Sequence, residues 1–160
     1  MSEFPERVYT QAEVKKAREL IEAGYKHRLT VRGSENFKSR VKEALELVRV
    51  AGYYDFLRTF IRIIEEIDGL TQLRQADAAL WASKYAVENP VDAASLFVQK
   101  ANSMMEYIEG KLYYGGEAEK RSNEKRKEFL EVLESKSSDE KTIKECKRIL
   151  KMWKDSSLVY

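Results

Sequence analysis

The fold is decided by the stretch at residues 53–68, which reads YYDFLRTFIRIIEEID. Drawn as a helix, it carries large apolar side chains around most of its circumference, and such a helix lies at the centre of a protein. Isoleucine and phenylalanine also suit a β-strand. However, the stretch is longer than a usual strand and lacks strict alternation, which favours a helix. We therefore expect residues 53–68 to form the central helix.

Outward from this stretch, each neighbouring segment repeats apolar residues every three or four positions, which is helical spacing. Thr10 and Glu13 form a capping box that starts the first helix. Asn89 and Pro90 start another, because Asn caps helices well and Pro at the first helical position loses no hydrogen bond. Further helices are predicted at residues 10–24, 34–51, 71–88, 90–114 and 117–134, and from residue 137 onward.

The predicted fold class is therefore all-α, an irregular bundle of about six or seven helices with no sheet. Residues 1–160 are expected to form a single helical domain, in which the last two helices, after Gly115 and Gly116, can form a docked C-terminal hairpin. The third, fourth and fifth helices have the broadest apolar faces, so we expect them to share one core cluster. Its predicted members are Phe60, Ile64, Trp81, Phe97, Ala101 and Met105.

Composition narrows the class of protein further. Of the 160 residues, 43% are apolar and 35% are charged, which suits one folded domain rather than a disordered chain. The excess of Lys, Arg and Glu suits helices, and it also suits a thermophilic source. The single cysteine, Cys146, excludes a disulfide within the chain and favours a reducing, cytoplasmic setting. No apolar run approaches the roughly 18 residues that a membrane span needs, so no membrane association is expected.

Residue types and spacings that indicate catalysis are lacking. His27 is the only histidine, so a zinc hydrolase site and a di-iron bundle are both excluded by count. Glu65, Glu66 and Asp68 could bind Mg²⁺, but such carboxylates more often face solvent. There is no Walker A loop and no GxGxxG motif. We therefore predict a protein that is not an enzyme, with no catalytic residue, no bound metal and no cofactor.

Two arginines leave a different hypothesis open. Arg58 and Arg62 are four residues apart on the predicted central helix, so they would share one of its faces. They could pair with Glu65, Glu66 or Asp77, or together clamp an anion. The second outcome would make the chain a small enzyme or a ligand-binding helical bundle.

The strongest polar pattern is the basic segment, residues 26–42. Within it the only acid is Glu35, and the aromatic residues Tyr25 and Phe37 lie beside or within it. Basic residues interleaved with aromatic ones suit single-stranded nucleic acid, although a solvated charged face is the simpler interpretation. We predict a non-enzymatic subunit or adaptor that contacts a protein partner or single-stranded RNA. The sequence is also compatible with a homo-oligomer. The candidate nucleic-acid-binding residues are Lys26, Arg28, Arg32, Lys38, Arg40 and Lys42.

One further stretch, residues 105–116, reads MEYIEGKLYYGG. It resembles the end of the small helical subunit of type III CRISPR effector complexes, where a final helix carries aromatic residues running into a Gly-Gly pair. This chain departs from that pattern by continuing well beyond Gly116. The resemblance implies an all-helical, non-catalytic subunit whose basic side chains line a duplex of crRNA and target.

Overall fold

The computed structural model describes the backbone of residues 3–159 and the side chains of residues 3–155. Over this range the chain forms six α-helices, four short β-strands and two short 3-10 helices. The helices are α1 (Gln11–Glu22), α2 (Glu35–Val50), α3 (Tyr54–Phe60), α4 (Pro90–Ile108), α5 (Gly116–Lys136) and α6 (Glu140–Val159). The strands are β1 (Thr30–Arg32), β2 (Ile63–Glu66), β3 (Gln72–Arg74) and β4 (Ala79–Ala82), and the 3-10 helices are Gln75–Asp77 and Lys84–Val87.

The prediction of an all-α fold with no sheet is wrong, because the four strands form one mixed sheet. Its strand order is β1-β2-β4-β3. Strands β1, β2 and β4 are parallel, whereas β3 pairs with β4 in the antiparallel direction. Helices α2 and α3 make the long connection that a parallel pair such as β1 and β2 requires. The fold is therefore a mixed α and β architecture with a helical majority.

The predicted central helix at 53–68 is divided in two. Helix α3 ends at Phe60, and Ile61 already has extended backbone angles, with φ −112° and ψ 123°. Strand β2 follows, and pairing on both sides gives its backbone the hydrogen bonds that a longer helix would have supplied. The dense apolar sequence reflects a short buried helix followed by a central strand, two elements that both need apolar residues.

The predicted helix at 71–88 is likewise replaced, here by β3, β4 and the two 3-10 helices. Between the strands, Ala78 adopts the left-handed conformation with φ 50°, which reverses the chain into β4. The backbone nitrogen of Arg62 donates to the Ala78 carbonyl oxygen at 2.7 Å, so the start of β2 is tied to this turn. These strands have only three or four residues each, so their alternation is too brief to stand out from helical spacing.

The core lies between the helices and one face of the sheet, called here the inner face. The inner face presents Ile64 and Leu80, both fully buried, with Val31 and Leu73 packed against the same cluster. Of the predicted core residues, Phe60, Ile64, Phe97 and Ala101 belong to this cluster, and Met105 packs against it. Trp81 does not join them, because it follows Leu80 in the strand and therefore points to the opposite face.

Several predicted helix caps and helix boundaries are confirmed. Thr10 and Glu13 form the reciprocal capping box at the start of α1. Asn89 caps α4 by accepting from the backbone nitrogen of Asp92, and Pro90 occupies the first turn. The break at Gly115 is also confirmed, because this residue has φ 90° and directly precedes α5. Helix α4 ends earlier than predicted, at Ile108 rather than near Tyr114.

Candidate functional site

The face of the sheet opposite the core, called here the outer face, forms the floor of an open groove. The register aligns two rows of outward side chains across the strands. The first row holds Thr30, Ile63, Ala79 and Arg74, and the second holds Arg32, Glu65, Trp81 and Gln72. The groove above these rows has a volume of about 920 Å³. Its walls come from residues 6–7, from the loop before β1, and from Arg62 and Asp77.

Four arginines line the groove, and they differ in how strongly they are already engaged. Arg28 is exposed, and its guanidinium has no hydrogen-bond or ion-pair partner among the described residues. Among the described residues, the guanidinium of Arg7 lies over the ring of Tyr9, at 5.8 Å, and makes no hydrogen bond. Arg32 faces Glu65 at 3.8 Å, but its side chain is still 62% exposed. Arg62 is the most engaged, and it donates to the carbonyl oxygens of three residues. The first three therefore have donors free for an anion.

Three carboxylates, those of Glu6, Glu65 and Asp77, lie among these arginines. The contact between Glu65 and Arg32 is long for a charge-assisted hydrogen bond, so it is a weak, solvated pair. Arg62 does meet Asp77, as the sequence hypothesis allowed, but through the Asp77 backbone carbonyl oxygen at 2.9 Å rather than its carboxylate. With four arginines against three acids, the groove keeps a small positive charge.

Aromatic rings stand at both ends of the groove. Trp81 lies on the outer face, where the guanidinium of Arg74 covers its ring at 4.5 Å. At the other end the ring of Phe4 stacks on Tyr25, with centroids 5.0 Å apart and planes 18° apart. Flat rings beside arginines can hold unpaired bases through stacking while the arginines hold phosphates.

His27 lines the groove beside Tyr25. It is 1% exposed, and neither ring nitrogen has a hydrogen-bond partner within the part of the chain that the structure describes. Burial, aided by the nearby charge of Arg62, lowers the pKa of His27 to about 4. The imidazole is therefore neutral near pH 7, with one donor and one acceptor that no described side chain or backbone group satisfies.

The structure divides the six predicted binding residues into two groups. Arg28 and Arg32 line the groove. Lys26 is close to them in sequence but is not a lining residue, and its ammonium lies 3.5 Å from the Gly24 carbonyl oxygen. The other three project from α2, outside the groove. There Lys38 faces Glu35 at 3.8 Å, and Arg40 donates to the Glu88 carbonyl oxygen at 3.0 Å. Lys42 is simply exposed.

Arg58 and Arg62 do not form a clamp, because the helix that would have aligned them ends at Phe60. Arg58 remains on α3, where it donates to Asp55 at 2.8 Å. The predicted acidic cluster is also divided. Glu65 faces the groove, whereas Glu66 accepts from the backbone nitrogen of Ser34 at 2.8 Å. Within the described residues, no group of three His, Cys, Asp or Glu side chains is arranged to hold a metal.

Sequence reasoning missed Arg7 and Trp81. Arg7 precedes the first helix and belongs to no pattern, so no local signal could have assigned it to the site. Trp81 was assigned to the core because a large aromatic residue fits a helical stripe. The only clue to its true position was the alternation of Leu80 and Trp81 within a strand of four residues.

The stretch that resembles the CRISPR subunit covers the end of α4 and the loop before α5. Tyr107, Tyr113 and Tyr114 form successive edge-to-face contacts there, with centroids 5.1 and 5.3 Å apart. Tyr114 and Leu112 are exposed. The all-helical fold that the resemblance implied is not the fold of this chain, and a role in such a complex stays a prediction.

Comparison of the chain with protein-family models, with curated proteins and with solved structures found no match. Between residues 3 and 159, no helix combines the length and the apolar composition that crossing a membrane requires.

Proposed function

We propose that this chain is a non-enzymatic protein that binds single-stranded RNA on the outer face of its sheet. The observation that supports this most directly is the combination of free arginines and aromatic rings along one open groove. The groove brings together Arg28 and Arg32 from the basic segment with Arg7 and Trp81.

The charges favour a phosphate chain over a protein carboxylate surface. Arg28 and Arg7 have donors free, and Arg32 can exchange its weak contact with Glu65 for a phosphate oxygen at little cost. The acids interspersed with them oppose a dense anion such as a triphosphate. Phosphates spaced along an extended strand can follow the arginines and avoid the acids.

The rings favour unpaired bases over a duplex. A base must leave its stack to lie on a side chain, so aromatic contact selects single strands. Trp81 can accept a base when Arg74 moves aside, and Arg74 is exposed and held there by the ring contact. The displaced guanidinium then remains beside the strand as a further phosphate contact.

The test compares two double variants that remove the same charge. Arg28→Gln with Arg32→Gln alters the groove, whereas Lys38→Gln with Lys42→Gln alters exposed lysines of α2 outside it. Binding of a labelled single-stranded RNA of about twelve nucleotides is measured by fluorescence anisotropy at several salt concentrations. The groove variant should lower the salt slope by about 1.4 log units per log unit of salt, since each single-strand phosphate contributes about 0.7. The α2 variant should leave it nearly unchanged.

Equal weakening by both variants would show that binding follows general basicity, and it would remove the groove assignment. Absence of RNA binding at low salt would overturn the proposed function. A mononucleotide that binds as tightly as the RNA would instead favour the ligand-binding alternative, with Arg62 as its anion contact. Single-stranded DNA of the same sequence, measured in parallel, tests whether the 2′-hydroxyl contributes.

A further inference from the structure

At the end of the groove lined by Tyr25 and His27, Tyr25 already takes part in an aromatic stack of the kind that a base makes. Phe4 lies nearly parallel to Tyr25, at 5.0 Å and 18°, and meets His27 edge-on at 4.4 Å. Phe4 belongs to the N-terminal segment, residues 4–8, and is itself only partly buried. Offset stacking at this separation is the arrangement that a nucleobase adopts on tyrosine.

His27 indicates that this end is incomplete as it stands. A buried polar group without a hydrogen bond is unfavourable, and here both nitrogens of the ring lack a protein partner among the described residues. The rings of Phe4 and Tyr25 meet the imidazole edge-on, with centroids 4.4 and 5.0 Å from it. A neutral imidazole offers one donor and one acceptor, and the edge of a nucleobase offers the same pair of groups in return.

The N-terminal segment is held at this end by contacts that a nucleotide can replace. Arg62 donates to the carbonyl oxygens of Pro5 at 3.3 Å and Glu6 at 2.7 Å. These acceptors are neutral, and a guanidinium binds a phosphate more strongly than a carbonyl. The nearest backbone anchor of the segment is the bond from the Val8 nitrogen to the Ala76 carbonyl oxygen at 2.7 Å, beyond the part that covers His27.

We propose that Tyr25, His27 and Arg62 form a nucleobase subsite, which Phe4 fills while no RNA is bound. This rests on the proposed function and deepens it. A base of the strand replaces Phe4 on the Tyr25 ring, its edge reaches His27, and its phosphate takes the Arg62 donors from Pro5 and Glu6. The N-terminal segment thus competes with RNA for one position at the end of the groove.

The first test is Phe4→Ala, measured with the same single-stranded RNA. Removing the competing ring should tighten binding by about three- to ten-fold, the range expected for one aromatic stack. The salt slope should not change, because no charge is altered. Tyr85→Ala, which removes an exposed aromatic side chain away from the groove, is the matched control and should leave the affinity unchanged.

Two further variants separate a base subsite from a general loosening of the N-terminal segment. Tyr25→Ala should weaken binding, and in the double variant with Phe4→Ala the gain from removing Phe4 should disappear. His27→Phe keeps the shape of the ring and removes its nitrogens, so it should reduce the differences in affinity between homopolymeric RNAs of the four bases.

Unchanged or weaker binding by Phe4→Ala, with a wild-type circular dichroism spectrum, would overturn the subsite. So would a gain that persists in the Tyr25→Ala background, because the base would then not be using that ring. If neither the wild-type chain nor any variant binds RNA at low salt, the proposed function itself fails. RNA binding that depends on Arg28 and Arg32 but ignores Phe4 would leave the proposed function standing without the subsite.

Discussion

Arg126 is a mostly buried charged residue outside the groove, and its replacement should lower the free energy of unfolding substantially. Its guanidinium donates to Ser95 Oγ at 2.8 Å, to Gln99 Oε1 at 3.2 Å and to Asp92 Oδ1 at 2.7 Å. Its charge also lies over the ring of Trp153, at 5.2 Å. This one side chain therefore joins α5 to the polar face of α4 and to α6.

The expected cost of Arg126→Ala follows from what it leaves behind. Breaking a buried ion pair from one side costs about 3–5 kcal/mol, because the remaining charge is left without a partner. The Arg126 side chain is only 13% exposed, but Asp92 is 44% exposed and can be hydrated, which places the estimate at the lower end. Ser95 and Gln99 also lose a donor while buried. We expect a loss of about 3 kcal/mol.

The assay is urea unfolding followed by far-ultraviolet circular dichroism. Arg126→Lys should recover only part of the loss, because an ammonium cannot reach all three acceptors in the planar geometry of a guanidinium. Lys120→Ala, an exposed position on the same helix, is the control and should change stability by less than about 0.5 kcal/mol. A loss below about 1 kcal/mol for Arg126→Ala would refute the reasoning and show that α5 is held by its apolar residues alone.

Three other predictions concern single residues. Gly33→Ala should cost about 2–3 kcal/mol in urea unfolding, because a Cβ there would lie 2.7 Å from the Cβ of Glu66, whereas Gly116→Ala, with open space around it, should cost nothing. Burial lowers the pKa of His27 from 6.5 to about 4, so between these pH values the unfolded chain binds a proton at His27 and the folded chain does not. Stability should fall by up to about 3 kcal/mol as the pH drops through that window, and His27→Phe should lose that dependence. Burial also raises the pKa of Cys146 to about 11, so a thiol reagent should modify it only after unfolding; rapid labelling of the native chain would contradict this.

The sequence was informative wherever structure is set by neighbouring residues. The capping box at Thr10 and the Asn89–Pro90 start depend on contacts within one helical turn, and both were predicted correctly. In the C-terminal helix, the observed start differs from the predicted one by a few residues. The helix was predicted from residue 137 onward, and it begins at Glu140, where Asp139 accepts from the backbone nitrogen of Thr142. Ser137 and Asp139 are both residue types that cap helices, so the sequence places the start of this helix only to within two or three residues.

The sheet was missed because its stability comes from pairing between distant segments. Strand β1 is three residues long and pairs with a strand more than thirty positions away. A pattern of period two cannot be distinguished from helical spacing over so few residues. The pair Asp68 and Gly69, one residue beyond the end of β2, marked a turn, but it also suited the break between the two predicted helices at 53–68 and 71–88.

The groove could be predicted only in part, for the same physical reason. The basic segment was recognised as a continuous run, but β1 ends at Arg32 and α2 begins at Glu35, so its two halves serve different surfaces. Charge density along a chain does not specify which side chains share a face; secondary structure does. Arg32 and Trp81 lie on one face of the sheet because the register of β1, β2 and β4 aligns them. The groove could therefore be predicted only from the correct pairing of all three strands. A sheet with one face packed against helices and the other left open places such residues together without any of them being close in sequence.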